Sequence, residues 1–587
     1  MLVLDCEVYQ DYFLAAFMDD VGKVLNIELH DGVDLNKARL SALMTDNTVV
    51  TFNGASYDLY MVAAALDGWT TQKIKRLSDA IIKSNLSHWN VANVWKIGYP
   101  PEWDHVDIID VLPGKSSLKI YGARIGMPKL QELPIDPAAS IDAAGRDTLR
   151  RYCTNDLRVT KALLKAVAPQ IQLRRSMSGQ YGIDLRSKSD AQIAEMVLKT
   201  EIEKMGKRLR PIQMDDDATV RYSDPGILSF ANPTMRDVFQ KILDHHFELS
   251  GNGSIKMPPW LKDTKIQIGQ GLYQMGIGGL HSTEKGQTVT ATRHEVLCEF
   301  DVSSYYPNII LQQRSEPSNM AGRFLPVYQG IVERRVAAKR AGDKTTADSL
   351  KIVVNASFGK LGSKFSILYA PDLMIQTTIT GQLCLIMLIE RLEAVGVRVV
   401  SANTDGVVAH FNKALEGDVE QVVFDWMLDT SFELERTDYR SLHARDVNNY
   451  IAVKPGGSTK AKGVFAAPGL SKNPDFSIVS EAISSQLSGG KSAADVINEC
   501  KDLLKFVTVR RVTGGAVWRG EKLGKAVRFY YSTDFGADQI EYATNSNKVP
   551  KSDGARPAMD IPDVFPDDVD KQRYIEIARK AMVGMGA

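Results

Sequence analysis

Four carboxylates near the amino end of the sequence have spacings that suit metal-dependent hydrolysis of a phosphodiester: Asp5, Glu7, Asp58 and Asp156. Asp5 and Glu7 are two residues apart in an apolar segment, so on a strand both side chains leave the same face. Asp156 follows Tyr152 by four residues, so on a helix the two share a face. Hard cations such as Mg²⁺ prefer oxygen ligands, and a pair of them activates water and stabilises a leaving oxygen. The Tyr152 hydroxyl would position that water.

A second group of residues combines two acids with several cations. Asp301 ends an apolar segment, and Asp405 lies in a Thr-Asp-Gly turn between valine-rich segments. Between these acids lie two pairs with a spacing of four, which places each pair on one helix face: Arg335 with Lys339, and Lys351 with Asn355. Two antiparallel helices that present three cations would form an electrostatic clamp for a triphosphate. Each pair alone is typical of an ordinary solvated surface, so the prediction depends on their combination and order.

The segments that carry these residues predict a chain of mixed α/β structure. In the first region, strands are predicted at 2–4, 48–52 and 105–111, and a helix at 147–167. Further along, helices are predicted at 327–340 and 346–361, a hairpin at 399–411, and a helix that begins near Asp567. Thr345 and Asp348 are interpreted as a capping box at the start of the second of these helices. Alternation of strands and helices over the first region indicates an α/β domain.

Composition excludes several classes of protein without selecting one. The 587 residues include 71 Lys+Arg and 71 Asp+Glu, so net charge neither indicates nor excludes nucleic-acid binding. The five cysteines are far apart in the sequence, which favours reduced, buried thiols over a disulfide or zinc framework. The acidic amino terminus does not resemble a signal peptide, and no apolar run is expected to span a membrane.

The amino-terminal acids lie in motifs that resemble those of a known exonuclease class. Asp5-Cys6-Glu7, the run from Asn53 to Asp58, and Tyr152-Cys-Thr-Asn-Asp156 are similar, in order, to the three motifs of DEDDy-type 3′→5′ exonucleases. The resemblance implies an RNase H-like domain that binds two metal ions and single-stranded DNA, with Asn53 contacting that strand. Asp107, on a predicted strand of the same domain, is interpreted as structural.

The segment 299–310, Glu-Phe-Asp-Val-Ser-Ser-Tyr-Tyr-Pro-Asn-Ile-Ile, resembles motif A of family B DNA polymerases. That resemblance assigns Asp301 to metal binding, places the Val302 carbonyl nearby, and makes Tyr306 the steric gate against a ribose 2′-hydroxyl. Tyr305 stands where the family usually has Leu.

Two further motifs of the same family follow in the expected order. Segment 351–359 is similar to motif B, which implies that Lys351 and Asn355, with the preceding Arg335 and Lys339, bind the incoming dNTP. Segment 401–407 is similar to motif C, which makes Asp405 the ligand of both metals. Departures from the family pattern occur at four positions: Ala356 for Ser, Phe358 for Tyr, Asn403 for Asp and Gly406 for Ser. Phe358 lacks the hydroxyl by which that position would bond to the minor groove.

Weaker similarities outline where DNA would bind. Gly278 and Gly279 resemble the glycine linker that touches template strand in this family, and Tyr450, Lys460 and Lys462 lie where the family contacts the primer duplex. The lysine expected before Tyr450 is missing. A basic group near the carboxyl end suits phosphate contacts by a thumb and suits an ordinary solvated patch equally well; it comprises Arg510, Arg511, Arg519, Lys522 and Lys525.

The resemblance implies an α/β multidomain architecture of an RNase H-like exonuclease followed by a right-hand polymerase. The expected boundaries are exonuclease 1–170, connecting region 171–270, palm 271–310 with an antiparallel sheet, helical fingers 311–361, palm 362–450 and thumb 451–587. Each active site would hold two Mg²⁺ ions, with Mn²⁺ as an alternative. The expected partners are primer–template DNA and dNTPs, with no membrane.

The spacing of the motifs narrows the expected type of polymerase. The exonuclease motifs begin at residue 5, so the amino-terminal domain of cellular family B enzymes is expected to be absent, as in phage replicases. The segments between motifs A, B and C are too short for the insertions by which protein-primed enzymes bind a priming protein. A phage-like enzyme that extends a nucleic-acid primer in the cytoplasm of a host cell is therefore expected. Two alternatives are a nuclease with a degenerate polymerase half and a non-catalytic nucleic-acid-binding protein.

Overall fold

The computed structural model describes residues 1–100, 102–206, 208–215, 218–534 and 536–587. They form two compact units. The amino-terminal unit contains Met1–Ser189, Pro468–Ile478 and Cys500–Arg573. The central unit contains Asp190–Ala467, Val479–Glu499 and Tyr574–Ala587. Residues 451–587, predicted as a thumb, are thus shared between the two units, as are residues 171–270, predicted as a connecting region.

The described strands are β1 Leu2–Val8, β2 Tyr12–Met18, β3 Val24–His30, β4 Val49–Thr51, β5 His105–Asp107, β6 Thr219–Arg221, β7 His246–Glu248, β8 Lys265–Ile268, β9 Gly271–Gln274, β10 His281–Ser282, β11 Lys285–Thr290, β12 Glu295–Val302, β13 Arg398–Asn403, β14 Gly406–Asn412, β15 Leu434–Tyr439, β16 Ser441–Asp446, β17 Asn449–Val453, β18 Thr459–Ala461, β19 Thr508–Trp518, β20 Glu521–Tyr531, β21 Glu541–Tyr542 and β22 Ala555–Pro557.

The described helices are α1 Lys37–Thr45, α2 Asp58–Leu66, α3 Thr71–Lys83, α4 His88–Trp95, α5 Leu118–Arg124, α6 Ala143–Ala166, α7 Ala168–Tyr181, α8 Asp190–Glu203, α9 Pro233–Asp244, α10 Pro259–Asp263, α11 Tyr305–Gln313, α12 Phe324–Arg340, α13 Lys344–Lys360, α14 Pro371–Ala394, α15 Glu416–Thr430, α16 Ser477–Leu487, α17 Ala493–Glu499, α18 Leu503–Phe506 and α19 Lys571–Val583. The predicted mixed α/β character is confirmed, and each predicted strand or helix named above overlaps an observed one.

The amino-terminal unit is built on a five-stranded sheet with the order β3-β2-β1-β4-β5. β1 pairs antiparallel with β2 and parallel with β4. Alternate residues of β1 and β2 are buried on opposite faces of the sheet: Leu4 and Phe13 pack in the cluster that includes α2, whereas Val3 and Leu14 pack with Leu149 of α6. Burial of both faces fixes the register of β1, and with it the direction of its two acids.

A second sheet of the amino-terminal unit has the order β21-β19-β20-β22. Ile120 of α5 packs against Val509 of β19 and Ala526 of β20. The fully buried Arg528 guanidinium donates hydrogen bonds to the carbonyls of Met127 and Pro128 at 2.8 Å. The segment 500–573 is therefore integrated with the amino-terminal residues by both apolar packing and buried hydrogen bonds.

The central unit contains a seven-stranded sheet with the order β15-β12-β14-β13-β10-β9-β8. β12 lies between β14 and β15 and is antiparallel to both. Helix α14 packs beneath this sheet, and its apolar residues such as Ile379 and Leu383 belong to the main core cluster. By length and composition α14 is the one helix among the described residues that could cross a membrane, against the sequence-based expectation. Because 89% of its most apolar window is buried within the unit, its hydrophobicity is explained by core packing.

Helices α12 and α13 form a hairpin in the central unit. The turn between them ends at Asp343, whose side chain accepts a hydrogen bond from the backbone N–H of Thr346. The prediction of a capping box at Thr345 and Asp348 is therefore wrong, because Thr345 already lies inside the helix. Asp343 is the better cap because its carboxylate meets the positive end of the helix two residues earlier.

Candidate active sites

The amino-terminal acid cluster, defined as Asp5, Glu7, Asp58 and Asp156, is assembled from three elements. β1 carries Asp5 and Glu7 toward Cys153 of α6, and ligand atoms of these three residues lie within 4.8 Å of one another. The Cys153 thiol donates to a carboxylate oxygen of Asp5 at 3.3 Å. Burial raises the pKa of Cys153, so the thiol stays protonated and acts as a donor. The remaining donors are carboxylate oxygens, a set that fits Mg²⁺ or Mn²⁺.

Asp58 is positioned by a tight junction between β4 and α2. Asn53 adopts a left-handed conformation with φ 69°, and its N–H donates to Asp107 at 2.8 Å. The buried Asp107 carboxylate also accepts from the N–H of Ala55. Asp58 then begins α2 and accepts a 3.0 Å hydrogen bond from the N–H of Cys6 on β1. Asp107 thus holds the loop, which agrees with its structural interpretation, and Asn53 begins the turn that delivers Asp58.

Gly54 is required at this junction for steric reasons. A Cβ atom at position 54 would lie 2.3 Å from the Thr51 hydroxyl oxygen. The same Thr51 hydroxyl accepts a hydrogen bond from the Gly54 N–H at 3.1 Å. The loop can therefore close over β4 only without a side chain at this position.

Helix α6 brings Tyr152 and Asp156 to the cluster, and α5 adds a residue that the sequence motifs did not indicate. The Lys119 ammonium group donates to both carboxylate oxygens of Asp156. It also lies 4.4 Å from the centre of the Tyr152 ring. A single lysine in an apolar stretch has no spacing signal, so only the packing of α5 against α6 reveals it.

The electrostatics of this cluster follow from burial of like charges. Glu7, Asp58 and Asp156 are 8%, 5% and 6% exposed. Burial, reinforced by the other carboxylates, raises the pKa of Asp5 and Glu7 well above the usual range. Burial and the nearby Asp107 raise the pKa of Asp58 to about 7. Because Lys119 supplies one positive charge for four acids, the cluster is arranged to gain stability from bound cations.

A second carboxylate site is built on the central sheet of the other unit. Asp301 lies near the end of β12, opposite Gly406 of β14. The N–H of Val302 donates to the Asp405 carbonyl at 2.8 Å, which ties the end of β12 to the β13–β14 turn. A Cβ at position 406 would lie 3.0 Å from a carboxylate oxygen of Asp301. Glycine at position 406 therefore lets the two acidic segments approach each other closely.

The β13–β14 hairpin turns at Thr404 and Asp405. Thr404 has φ 57°, whereas Gly406 already pairs as the first residue of β14. The left-handed residue is thus Thr404, and its N–H donates to the Leu280 carbonyl. A Cβ at Gly279 would lie 2.8 Å from the Thr404 hydroxyl. The Gly278–Gly279 linker, predicted to touch DNA, therefore also packs closely against the turn that carries Asp405.

The two acids face the cations of α12 and α13 across one cavity of about 640 Å³. Its lining includes both acids and all the residues predicted for dNTP binding: Asp301, Asp405, Val302, Tyr306, Arg335, Lys339, Lys351 and Asn355. Phe358, predicted to contact DNA, and Glu435 also line it. Partial desolvation by the cavity walls and the Asp405 charge raise the pKa of Asp301 to about 6. Both Asp301 and Asp405 are exposed side chains, so this site is open where the amino-terminal cluster is buried.

Two aromatic rings, those of Tyr306 and Phe358, also line this cavity. The centres of the Tyr306 and Phe358 rings are 4.4 Å apart, with 36° between their planes. The Tyr306 hydroxyl donates to the Gly278 carbonyl at 2.7 Å, which fixes the orientation of the ring. Arg335 donates to the Ser304 hydroxyl at 3.0 Å. The position of the Tyr306 ring is therefore set from two sides, by Gly278 and by Phe358.

Glu299, two residues before Asp301 on β12, was not identified from the motifs. Its carboxylate accepts hydrogen bonds from the Tyr439 hydroxyl at 2.5 Å and from Lys460 at 2.6 Å. Lys460 lies opposite Ala452 in the β17–β18 pair, and the Lys462 N–H donates to the Tyr450 carbonyl. Tyr450, Lys460 and Lys462 are therefore neighbours on one small sheet, and Lys460 is tied to the strand that carries Asp301.

Asn403 and the basic group near the carboxyl end are not among the residues that line this cavity. Asn403 donates to the carbonyl of Val447 at 3.2 Å and to the side-chain oxygen of Asn448 at 3.3 Å. In the amino-terminal unit, Arg510 is paired with Asp475 at 2.7 Å. The other members of the basic group are exposed on β19 and β20 or at the turn between them: Arg511, Arg519, Lys522 and Lys525.

Comparisons with known proteins add little to this geometry. No protein-family model matches the chain. No curated protein matches it either. Among solved structures, the family B DNA polymerase from the hyperthermophilic archaeon Pyrobaculum calidifontis is similar over 100% of this chain and 77% of its own, at 15% identity and a TM-score of 0.43. A TM-score this low does not establish a common fold, so the residues and their geometry support the function proposed below.

Proposed function

We propose that the chain is a DNA-directed DNA polymerase of the family B type with a 3′→5′ proofreading exonuclease. The observation that carries the polymerase assignment is the single cavity in which Asp301 and Asp405 face Arg335, Lys339 and Lys351. Carboxylates and cations that line one cavity suit a triphosphate whose α-phosphate lies near the acids and whose β- and γ-phosphates lie near the cations.

The chain's own residues would divide the polymerase task between them. Arg335, Lys339 and Lys351 bind and orient the triphosphate, and Asn355 adds an amide on the same face of α13 as Lys351. The Tyr306 ring, held by Gly278 and packed at a tilt against Phe358, is proposed to exclude a 2′-hydroxyl. Tyr450, Lys460 and Lys462 would bind the primer strand.

The amino-terminal acid cluster would perform the hydrolytic reaction. Asp5, Glu7, Asp58 and Asp156 provide a dense set of oxygen ligands, Tyr152 lies beside Asp156 on α6, and Lys119 holds Asp156 in place. In both sites Mg²⁺ or Mn²⁺, when bound by these carboxylates, would activate the attacking oxygen and neutralise charge on the phosphate. Tyr152 would orient the water for attack on the terminal phosphodiester of a single strand.

The short connection between α12 and α13 supports the proposed type of polymerase. The turn between α12 and α13 contains Ala341, Gly342 and Asp343 alone, which leaves no room there for a large insertion. We therefore expect extension of an ordinary DNA primer without a priming protein, limited strand displacement, and a phage-type role in genome replication in the host cytoplasm.

A primer-extension assay tests the proposal and separates it from the alternatives. A 5′-labelled primer on a long single-stranded template should be extended with dNTPs and Mg²⁺, and shortened with Mg²⁺ alone. Shortening without extension would instead indicate a nuclease with a degenerate polymerase half. Neither reaction, with DNA still bound, would indicate a non-catalytic binding protein. Linkage of a deoxynucleotide to a protein hydroxyl would contradict the expected priming mechanism.

A further inference from the structure

A basic cavity in the amino-terminal unit is not explained by either active site. It has a volume of about 460 Å³ and lies on the outer face of α6, beneath the segment that joins α5 to α6. Its cationic lining comes from Lys129, Arg150, Arg151 and Arg158. None of the described residues that line the cavity is an acid.

Three of these four cations have no counter-ion among the residues that the structure describes. Arg150 is neutralised, since its guanidinium contacts both oxygens of Glu28 at 2.5 and 2.7 Å and Asp147 at 2.5 Å. Arg151 reaches only the Thr148 hydroxyl, at 3.4 Å, and within the described ranges neither Lys129 nor Arg158 forms an ion pair. Lys129, Arg151 and Arg158 are exposed side chains whose like charges surround one cavity, which favours entry of an anion.

The cavity also contains a buried donor that lacks an acceptor. Asn155 is 8% exposed, and its side-chain nitrogen is buried with no hydrogen-bond partner among the described residues. Buried amide groups are nearly always hydrogen-bonded, so an unpaired one that lines a cavity indicates a missing acceptor. An oxygen-rich anion would satisfy Asn155 and the three cations together.

The wall opposite α6 is rigidly held. The Leu130 N–H donates to the Met559 carbonyl at 2.8 Å, and the Ile561 N–H donates to the Pro128 carbonyl at 2.9 Å. Arg528 binds the Met127 and Pro128 carbonyls from beneath. Because the backbone on both sides of Lys129 is fixed by hydrogen bonds, this wall of the cavity is formed and Lys129 projects from a defined point of it.

The position of the cavity on α6 connects it to the acid cluster. Asn155 and Asp156 are adjacent residues, so the helix presents the acid to one side and the amide to the next, about 100° around the axis. We propose that the cavity is a phosphate-binding subsite, which takes a backbone phosphate of the strand in the nuclease site or the phosphate of the released mononucleotide. The identity of the nucleotide rests on the proposed exonuclease function, whereas the phosphate chemistry rests on the cavity alone.

The test compares a cavity variant with a matched control in the full-length chain. The cavity variant is Arg151→Ala with Arg158→Ala. The control is Arg39→Ala with Arg76→Ala, which removes the same charge from exposed helical positions of the same unit. Binding of labelled oligo(dT) is measured by fluorescence anisotropy in EDTA, so that no cleavage occurs, over a range of salt concentrations. Binding of dTMP is measured separately by thermal shift.

Each result has a distinct meaning. If the ligand is a backbone phosphate, the cavity variant should bind oligo(dT) about 3- to 10-fold more weakly than the control, with a salt slope lower by about 0.7 for each lost contact. If the ligand is the free mononucleotide, dTMP stabilisation should disappear in the cavity variant while oligo(dT) affinity matches the control. Equal behaviour of the two variants in both measurements would overturn the proposal. Should the wild-type chain neither trim nor bind DNA, the proposed function would fail, and the dTMP measurement would still decide the subsite.

Discussion

The two carboxylate sites, both proposed to perform metal-dependent phosphate chemistry, lie in opposite surroundings. The amino-terminal acid cluster is buried on strands and helices and has one fixed counter-ion, Lys119. Asp301 and Asp405 are exposed and face three cations across an open cavity. A buried cluster suits a small reacting group, a strand terminus and a water. An open cavity suits a bulky incoming nucleotide whose own charges complete the site.

The strongest test of this comparison is to disable each site alone. Asp→Asn and Glu→Gln keep the side-chain shape but remove the charge that binds Mg²⁺, so each loss should reach orders of magnitude. Asp5→Asn with Glu7→Gln should abolish 3′→5′ shortening, leave extension nearly intact and raise the error rate. Asp405→Asn should abolish extension and leave shortening of single-stranded DNA. Gel assays with a labelled primer measure both reactions.

These variants can also contradict the two-site interpretation. Extension within a few-fold of normal in Asp405→Asn would mean that another acid, such as Glu299 or Glu435, binds the metal. Loss of both activities in either variant, with circular dichroism unchanged, would mean that one site performs both reactions.

The sites differ in how much of them could be predicted from the sequence. Four acids could be predicted from the sequence because each lies on a strand or turn, where alternation and turn residues leave a local signal: Asp5, Glu7, Asp301 and Asp405. Lys119 could not be predicted, because its place in the site depends on how α5 packs against α6. Glu299 was equally hidden, since its partners Tyr439 and Lys460 are 140 and 161 residues away in the chain.

The fold shows the same division between local and long-range information. The strands at the start of the chain and the α12–α13 hairpin follow from periodicity. The integration of 500–573 with the amino-terminal residues does not, because it depends on Arg528 reaching the Met127 and Pro128 carbonyls. Helix α14 is a long apolar segment that the sequence analysis does not predict, and burial beneath the central sheet explains its apolar composition. The observed cap of α13, Asp343, lies two residues before the predicted one, Thr345, because both residues give similar local signals in the sequence.

The next largest effect is expected on the exonuclease rate when Lys119, the counter-ion of the buried site, is replaced. In Lys119→Met the Asp156 carboxylate loses its ion pair, and both it and Tyr152 lose the group that holds them in place. We expect the exonuclease rate to fall about 10- to 100-fold, as is common when a group that orients metal ligands is removed, with extension unchanged. Lys115→Met, at an exposed position in the same segment, is the matched control. A rate for Lys119→Met equal to that control would show that the ion pair is structural only.

The open site should instead be sensitive at its aromatic wall. Tyr306→Ala removes the ring that Phe358 and Gly278 hold over the cavity. We expect rNTP incorporation relative to dNTP to rise by about an order of magnitude or more, because steric exclusion of the 2′-hydroxyl is lost while the cationic clamp remains. Single-nucleotide kinetics measure the ratio, and Tyr305→Phe, which keeps the neighbouring ring, serves as the control. Unchanged discrimination in Tyr306→Ala would place Tyr306 in the core and not at the sugar.

The smallest expected effect is on thermal stability, and it too separates the buried site from the open one. A carboxyl whose pKa is higher in the folded than in the unfolded chain adds stability below its unfolded pKa of about 4, and loses it as the pH rises through the folded pKa. For Asp58 that folded pKa is about 7, because of burial and the nearby Asp107. The metal-free buried cluster should therefore destabilise its unit increasingly between about pH 4 and pH 7, and Mg²⁺ should reverse this by binding the ionised acids.

We expect the Mg²⁺-dependent rise in Tm to grow over this pH range to a few degrees, about the size expected from 1 kcal/mol in a domain of this size. Differential scanning calorimetry with Mg²⁺ or EDTA measures it. Asp5→Asn with Glu7→Gln should remove most of the rise, whereas Asp405→Asn, in the exposed site, should leave it. The reverse pattern would show that the open site binds the metal more tightly, and that burial of the amino-terminal acids is compensated within the protein itself.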